Sequence, residues 1–204
     1  MSLLGVLSDI HGNLPALEQA LATGEQLGVN SWVCLGDMID GGRWNNECVR
    51  LIRDRGIAAV RGNHDIGFGV EIAADVSEFL DSCPITRQVD GLLLAHISIR
   101  QRPRKVADRH EAWNVFEETV HPLMFFGHSH ISTFWSERCA MVGECRETVL
   151  RAGQSYHLPE DDRHIISVGS LGYSRDADPR PRFGTFDTTT RMLMVHPVHA
   201  SPIK

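Results

Sequence analysis

Polar side chains that could bind metal ions recur about every thirty residues along the chain, the length of one strand-and-helix unit. They belong to five short motifs, which contain Asp9 and His11, then Asp37, then Asn63 and His64, then His96, and finally His128 and His130. Carboxylate and amide oxygens together with imidazole nitrogens suit Mn, Fe, Zn, Ni or Co, and the lack of cysteine in the motifs argues against a structural zinc site. The set is too large for one ion. The sequence therefore predicts two divalent ions that share one carboxylate, the arrangement of two-metal hydrolysis.

Each motif alone has a simpler explanation. A polar pair after a strand is usually a turn with a helix cap, Gly-Asp is common turn chemistry, and alternating histidines are often surface residues. Independent accidents would not place all five motifs in order at the ends of successive predicted strands. The occurrence of all five motifs together therefore favours a metal site.

The elements that must position these motifs alternate between strands and helices over the first two thirds of the chain. Short apolar runs predict strands over residues 3–7, 31–35, 57–60, 92–95 and 123–126. Helices are predicted between them: Asn13 caps the first, which Gly28 ends, and Asp108 with Glu111 begins the last. Because the carboxyl ends of parallel strands meet at one edge of a sheet, we expect the five motifs to converge there.

The last third of the chain has a different period. Strands are predicted over residues 132–137, 146–151, 165–168, 183–186 and 192–195, with the last two forming a hairpin. Residues 153–162 and 174–182 are predicted long loops. The pattern as a whole predicts a layered α/β sandwich that forms one domain over residues 1–204.

Composition limits the partners of the chain. Its 20 Lys and Arg against 26 Asp and Glu give a net charge of −6, and we expect no binding to duplex nucleic acid because the sequence has no basic run. No apolar run approaches the ~18 residues of a membrane span, so we expect no membrane partner. Five scattered cysteines without a CxxC pair indicate a reducing compartment, and we expect a cytoplasmic location.

The five motifs, in this order, resemble the signature of the calcineurin-like metallophosphoesterases. They read Asp9-Ile-His11, Gly36-Asp37-Met-Ile-Asp40, Gly62-Asn63-His64-Asp65, His96, and Gly127-His128-Ser-His130. A Gly-Ser-Leu-Gly segment followed by Arg175-Asp176 is similar to the small bacterial phosphodiesterase-like branch of that family. The resemblance implies a four-layer α/β/β/α sandwich of two mixed sheets, with a dinuclear metal site at one edge.

The resemblance also implies a role for each motif residue. Its metal ligands would be Asp9, His11 and His130 for one ion, Asn63, His96 and His128 for the other, and Asp37 as the bridge. His64 would stabilise the transition state or protonate the leaving oxygen, and Asp65 would orient His64. Manganese is the expected metal, with Fe, Zn, Ni, Co and Mg as alternatives.

Two positions depart from the family pattern. Ile97 follows His96 where the family usually has glycine, so the turn that presents His96 must form without one. Gly41 and Gly42 precede Arg43, whereas the protein Ser/Thr phosphatases of the superfamily carry arginine directly after the second motif. Hydrolysis of phosphoproteins is less favoured for this reason.

These observations predict a metal-dependent hydrolase of phosphate esters. We expect a phosphodiesterase that acts on small organic phosphates or nucleotides through a hydroxide held between two ions, with Arg175 or Arg180 pairing with a second phosphate. A phosphomonoesterase and a dinucleoside polyphosphate hydrolase are alternatives. A non-catalytic interaction module on the same fold is a further alternative, disfavoured because every ligand and His64 are present.

Overall fold

Two six-stranded mixed sheets pack face to face, with helices on the outer side of each. The computed structural model describes residues 3–67, 69–139, 141 and 143–203. Met1, Ser2 and Lys204, at the ends of the predicted domain, lie outside the described residues. The layers form the α/β/β/α sandwich that the sequence motifs implied.

Twelve strands and four helices follow one another along the chain. In order they are β1 (Leu3–Leu7), α1 (Leu14–Leu27), β2 (Ser31–Cys34), α2 (Asn45–Asp54), β3 (Ala58–Ala59), α3 (Ala74–Ser82), β4 (Thr86–Val89), β5 (Leu92–Ala95), α4 (Arg109–Glu118), β6 (Leu123–Phe126), β7 (Ser132–Ser136), β8 (Arg146–Val149), β9 (Ser155–His157), β10 (His164–Val168), β11 (Arg182–Asp187) and β12 (Met192–Pro197). A short 3-10 turn covers His64–Ile66.

The first sheet has the strand order β3-β2-β1-β11-β12-β9, and the second has the order β4-β5-β6-β10-β7-β8. Within the first sheet, β1, β2 and β3 are parallel, while β11, β12 and β9 pair antiparallel. Within the second, β5, β6 and β10 are parallel. Each sheet therefore directs a set of parallel carboxyl ends toward the same end of the sandwich.

Three apolar clusters hold the layers together. Helices α1, α2 and α3 pack on the outer face of the first sheet, and α4 packs on the outer face of the second. Between the sheets, side chains from both inner faces meet, as where the Phe125 and Phe186 rings lie 5.9 Å apart. This inter-sheet core fixes the distance between the two groups of strand ends.

The predicted caps of α1 and α4 are present. The Asn13 side chain accepts a hydrogen bond from the Ala16 amide, and α1 ends at Gly28 in the left-handed conformation (φ 84°). Asp108 accepts from the Glu111 amide at 2.8 Å. The Glu111 carboxylate does not complete a reciprocal capping box, because it accepts two hydrogen bonds from Arg100 instead.

The structure corrects the sequence-based prediction in three places. Strand β4 was not predicted; it forms a hairpin with β5 through Asp90 and Gly91, both at positive φ. Strand β9 lies inside the predicted 153–162 loop, where it pairs with the edge of β12. The strand pattern alone placed the five motifs at one edge of one sheet, whereas the motif-bearing strands belong to two sheets, as the resemblance implied, and the hairpin at β4 starts the second.

No helix in the described part of the chain combines the length and the apolar character that crossing a membrane requires.

Candidate metal centre

The first group of candidate ligands contains Asp9, His11 and His130, whose ligand atoms lie within 4.8 Å of one another. Asp9 and His11 follow β1, and their amides donate to the carbonyls of Gly36 and Asp37 in the loop after β2. His130 follows β6 in the other sheet, with its Nε2 atom 3.1 Å from Asp9 Oδ1. All three side chains are buried. Loops from two sheets thus meet in one cluster.

The second group contains Asp37, His96 and His128, also within 4.8 Å of one another. The His96 Nε2 atom lies 3.0 Å from Asp37 Oδ2 and 3.0 Å from Asn63 Oδ1. Asn63 is exposed, so this group faces solvent on the Asn63 side. Three oxygen and nitrogen donors therefore converge beside the exposed Asn63 amide.

Asp37 lies between the two groups. Its Oδ2 atom is 3.0 Å from His96 Nε2 and 3.8 Å from His11 Nε2, which belongs to the first group. Its Oδ1 atom accepts a hydrogen bond from the His64 amide at 2.8 Å. One carboxylate oxygen is thus placed to serve both groups, as the bridging role would require.

Histidine rings in both groups are held by hydrogen bonds from their Nδ1 atoms. Because a carbonyl oxygen can only accept, Nδ1–H donates from His11 to Asp40 O (2.7 Å), from His130 to Tyr173 O (2.8 Å) and from His96 to Leu35 O (2.7 Å). Such contacts fix the tautomer and leave Nε2 as the ligand atom. The Nε2 atoms of His11 and His130 face each other at 3.3 Å, and a cation would satisfy both lone pairs.

The pKa shifts at the site reflect the same arrangement. Burial opposes ionisation of Asp9, but the hydrogen bond with His130 and the charge of His96 lower its pKa to about 2. Burial also opposes protonation of His96, yet the hydrogen bond with Asp37 and the nearby carboxylates raise its pKa to about 9. Burial and the neighbouring His96 lower the pKa of His128 to about 4. The carboxylates are ionised, and the position at His96 Nε2 attracts positive charge.

The backbone is strained at the motif residues. Left-handed φ angles are uncommon outside glycine, and non-glycine residues that adopt them cluster at functional sites. Six of the described non-glycine residues with positive φ, between 51° and 72°, lie in the motifs: Asp9, His11, Asp37, Asp40, His128 and His130. Hydrogen bonds between the loops, such as those that the Asp9, His11 and His128 amides donate, hold the backbone in these conformations.

Two motif glycines let the loops after β2 and β3 come together. A Cβ atom on Gly62 would lie 2.1 Å from Asp37 Oδ1, and one on Gly36 would lie 2.5 Å from the Gly62 amide nitrogen. Gly36 also has a φ of 89°, which favours glycine. Side chains at either position would displace Asp37.

His64 lies at the open side of the centre, with 39% of its side chain exposed. Its Nε2 atom is 4.0 Å from Asp37 Oδ2, and its Nδ1 atom is 2.5 Å from Asp40 Oδ2. Asp40 thus orients the His64 ring. The sequence analysis missed this role, although Asp40 is the second aspartate of the Gly-Asp-Met-Ile-Asp motif.

The role predicted for Asp65 is wrong. Its buried carboxylate accepts hydrogen bonds from the amides of Asp37 (2.8 Å), Met38 (2.7 Å) and Gly62 (2.8 Å), and not from the His64 ring. Neighbouring side chains on the 3-10 turn diverge, so Asp65 turns inward while His64 stays near the surface. Burial and the charge of Asp37 raise its pKa to about 6. Asp65 braces the loops that carry the ligands.

Ile97 does not displace His96. The structure gives neither residue a positive φ, so the turn after β5 does not require glycine. His96 reaches the second group and is anchored by the Leu35 carbonyl.

The loop between β10 and β11 borders the first group. The Ser170 hydroxyl donates to Asp9 O at 2.8 Å, and the Tyr173 ring lies 4.2 Å from the His130 ring and 5.4 Å from the His11 ring, between centroids. The sequence analysis missed Tyr173, because an isolated aromatic residue in a loop carries no spacing signal.

The two arginines predicted to contact substrate differ in their surroundings. The Arg175 guanidinium carbon lies 5.8 Å from the Tyr173 ring centroid. The exposed Arg180 guanidinium is instead occupied by Asp178, with hydrogen bonds of 2.7 to 3.1 Å. The structure therefore brings Arg175, and not a free Arg180, to the border of the metal centre.

The chain is similar to known phosphoesterases. The sequence model of the calcineurin-like phosphoesterase family matches residues 3–147. An uncharacterised protein of Methanocaldococcus jannaschii is 32% identical, over 91% of this chain and 83% of the relative. A metallophosphoesterase structure from Sphaerobacter thermophilus matches at 26% identity with a TM-score of 0.86, over 98% of this chain and 89% of the other. A hypothetical protein from Pyrococcus horikoshii OT3 shares the fold at 15% identity with a TM-score of 0.70, over 98% and 89%.

Proposed function

Because the chain belongs to the calcineurin-like phosphoesterase family, we propose that it is a metal-dependent phosphodiesterase that acts on small organic phosphates or nucleotides. The observation that carries the proposal is the pair of ligand groups that share Asp37, with His64 beside them. A phosphate ester resists attack by a nucleophile because its oxygens are anionic. The two ligand groups could hold two cations side by side, and their positive charge would offset the negative charge of the phosphate oxygens.

The donor set fits two divalent cations. One would be held by Asp9, His11 and His130, the other by Asn63, His96 and His128, with Asp37 shared between them. Oxygen and imidazole donors without thiolate suit Mn²⁺, which we propose as the metal. When bound, such ions polarise phosphoryl oxygens and lower the pKa of water to about 7.

His64 supplies the proton that the leaving oxygen needs. The Asp40 carboxylate accepts from Nδ1–H, which leaves Nε2 on the side that faces Asp37. A protonated ring in this orientation donates from Nε2 to the departing alkoxide. Asp40 is therefore a positioning residue for His64.

The exposure of the site supports a small substrate held mainly by its phosphate. The His64 side chain is 39% exposed and Asn63 is exposed, while Asp9, His11 and His130 form a buried floor. Esters can therefore approach from the Asn63 and His64 side. Because access is open on this side, we expect a broad range of leaving groups.

A metal-by-substrate activity matrix tests the proposal. The metal-stripped protein is reloaded with Mn²⁺, Fe²⁺, Zn²⁺, Ni²⁺, Co²⁺ or Mg²⁺ and assayed on bis(p-nitrophenyl) phosphate and on p-nitrophenyl phosphate. Faster hydrolysis of the diester with Mn²⁺ supports the proposal, whereas a faster monoester reaction overturns the diesterase assignment. No turnover with any metal, together with no metal bound, favours the non-catalytic interaction module.

We also propose a cytoplasmic location, which the state of the cysteines supports. All five are free thiols in the structure, and four of them are buried. Reduced, unpaired cysteines are typical of proteins in reducing compartments.

A further inference from the structure

We propose that Arg175 binds a second phosphoryl group of the substrate, so that the preferred substrates are small compounds with an additional phosphate beyond the one attacked, such as nucleoside diphosphate derivatives. The inference rests on the proposed function, since it concerns the same site. It assigns the substrate class from three features: the position of Tyr173, the unpaired charge of Arg175, and the rigidity of the loop that carries both.

Tyr173 forms the side of the metal centre nearest Arg175. Its ring packs on two ligand histidines, His130 and His11, at centroid distances of 4.2 and 5.4 Å. Its carbonyl accepts from His130 Nδ1–H, and its amide donates to Ser170 Oγ. We expect a phosphate to bind at the first ligand group. A substituent of that phosphate that extends past His130 would then contact the Tyr173 ring and the Arg175 side chain over it.

Arg175 lies over that ring. Its guanidinium carbon is 5.8 Å from the Tyr173 centroid, and its amide donates to the His130 carbonyl at 2.9 Å. The backbone of Arg175 is thus tied directly to a ligand residue. The exposed guanidinium remains one aromatic ring away from the centre, within reach of the next phosphoryl group of a bound substrate.

Arg175 keeps its charge unpaired, unlike Arg180 in the same loop and Arg182 at the start of β11. Arg180 is held by Asp178, and the buried Arg182 lies 3.0 Å from Asp176. No ion pair between described residues includes Arg175. Arginine binds phosphate through two parallel hydrogen bonds, and an unpaired guanidinium need not give up a carboxylate to do so.

The loop is rigid at the point where it presents Arg175. Asp176 accepts from the Ser132 amide and hydroxyl at 2.8 to 3.2 Å, and it also pairs with Arg182, whose side chain is 3% exposed. Ser170 ties the start of the loop to Asp9. Because the backbone is already ordered, only the Arg175 side chain loses freedom on binding, which favours affinity.

The experiment compares Arg175→Ala with the matched control Arg180→Ala, which removes an exposed arginine from the same loop. Binding of inorganic pyrophosphate and of inorganic phosphate to the Mn²⁺-loaded proteins is measured by calorimetry at constant free Mn²⁺. Inhibition of bis(p-nitrophenyl) phosphate hydrolysis by the two anions is measured in parallel. Circular dichroism verifies that both variants are folded.

We expect the wild-type protein to bind pyrophosphate more tightly than phosphate, and Arg175→Ala to weaken pyrophosphate binding about 10- to 100-fold, as for a charge-assisted hydrogen bond. Arg180→Ala should bind both anions as the wild type does. Arg175→Lys should recover part of the loss, because lysine restores the charge without the bidentate geometry.

The two proposals fail in different ways. If the diester is hydrolysed but Arg175→Ala binds pyrophosphate like the wild type, Arg175 does not contact a second phosphate and this inference is overturned. If no ester is hydrolysed, the proposed function fails, and the calorimetric comparison still decides whether Arg175 binds the anion. An equal loss in Arg180→Ala also overturns the inference, because it shows a general effect of loop charge.

Discussion

The Nε2 atoms of His11 and His130 lie 3.3 Å apart in a buried site. Each ring donates from Nδ1 to a backbone carbonyl, so in the neutral rings the two Nε2 lone pairs face each other. A cation bound between the two atoms would relieve this contact. We therefore expect metal binding to stabilise the fold.

Removal of divalent metal should lower the melting temperature. A ligand present at 100 times its Kd stabilises the folded state by about 2.7 kcal/mol, provided that it does not bind the unfolded chain. Calorimetric scans with Mn²⁺ and with EDTA measure the shift. His130→Ala should reduce the shift, and the exposed His110→Ala should leave it unchanged. Equal melting temperatures with and without metal would contradict the coupling.

His64→Gln should lose turnover while keeping both ions. General acid catalysis contributes about 10²- to 10⁴-fold, and His64 is not a member of either ligand group. Steady-state kinetics and metal analysis of the same sample measure the two properties. A variant with full activity would exclude His64 as the proton donor, and one that lost an ion would make His64 a ligand.

Asp40→Asn and Asp65→Asn should have different effects, because Asp40 orients the His64 ring and Asp65 holds the backbone of the loops that carry the ligands. Asp40→Asn weakens the contact that orients His64, so we expect kcat to fall about 10- to 100-fold at unchanged stability. Asp65→Asn replaces an acceptor of four backbone amides, and we expect the free energy of unfolding to fall by about 1–3 kcal/mol. Urea denaturation and kinetics on both variants test the distinction. The reverse pattern would restore the sequence-based role of Asp65.

The stability of the protein should fall in mild acid, in part through His164. This buried ring contacts Ser136 Oγ and donates from Nε2 to Pro159 O, and burial lowers its pKa from the ordinary 6.5. A folded-state pKa below the unfolded value means that the unfolded chain takes up the proton first. The contribution of His164 is therefore complete above about pH 6.5 and is lost as the pH falls below it.

His164→Gln measures this contribution, since glutamine keeps a donor for the Pro159 carbonyl but does not titrate. Urea midpoints at pH 7.5 and pH 5.5 should differ less in the variant than in the wild type. The substitution is far from the ligand groups in the chain, so metal binding should not change. An identical pH dependence in both proteins would show that His164 does not contribute.

The local part of the site could be predicted from the sequence. A motif such as Asp9 to His11 identifies the candidate ligands by residue type. It also places them at the end of a strand, because an apolar run ends directly before the motif. The contact between Asp40 and His64 could not be read in this way, because the family resemblance assigned the orienting role to Asp65. Which of two neighbouring side chains turns inward depends on the 3-10 turn, and no spacing in the sequence reports that turn.

The family resemblance implied two sheets, but the strand pattern alone did not predict how the strands divide between them. The Asp90-Gly91 pair is a strong hairpin signal, but β4 itself alternates in burial, has no buried residue and carries the charged Arg87, as an edge strand does. Strand β9 is likewise polar and short. Arg175 and Arg180 look equivalent in the sequence, and only the fold of their loop determines which one a carboxylate neutralises.

The inter-sheet core has a consequence for the chemistry at its end. Asp37 follows a strand of one sheet and His96 follows a strand of the other, so the thickness of the apolar layer, set by pairs such as Phe125 and Phe186, also sets the distance between ligands within each group. Repacking that layer would change the ligand geometry within each group without replacing a ligand. Substitutions in the inter-sheet core should therefore change the rate of turnover at the metal centre, even where they leave the fold intact.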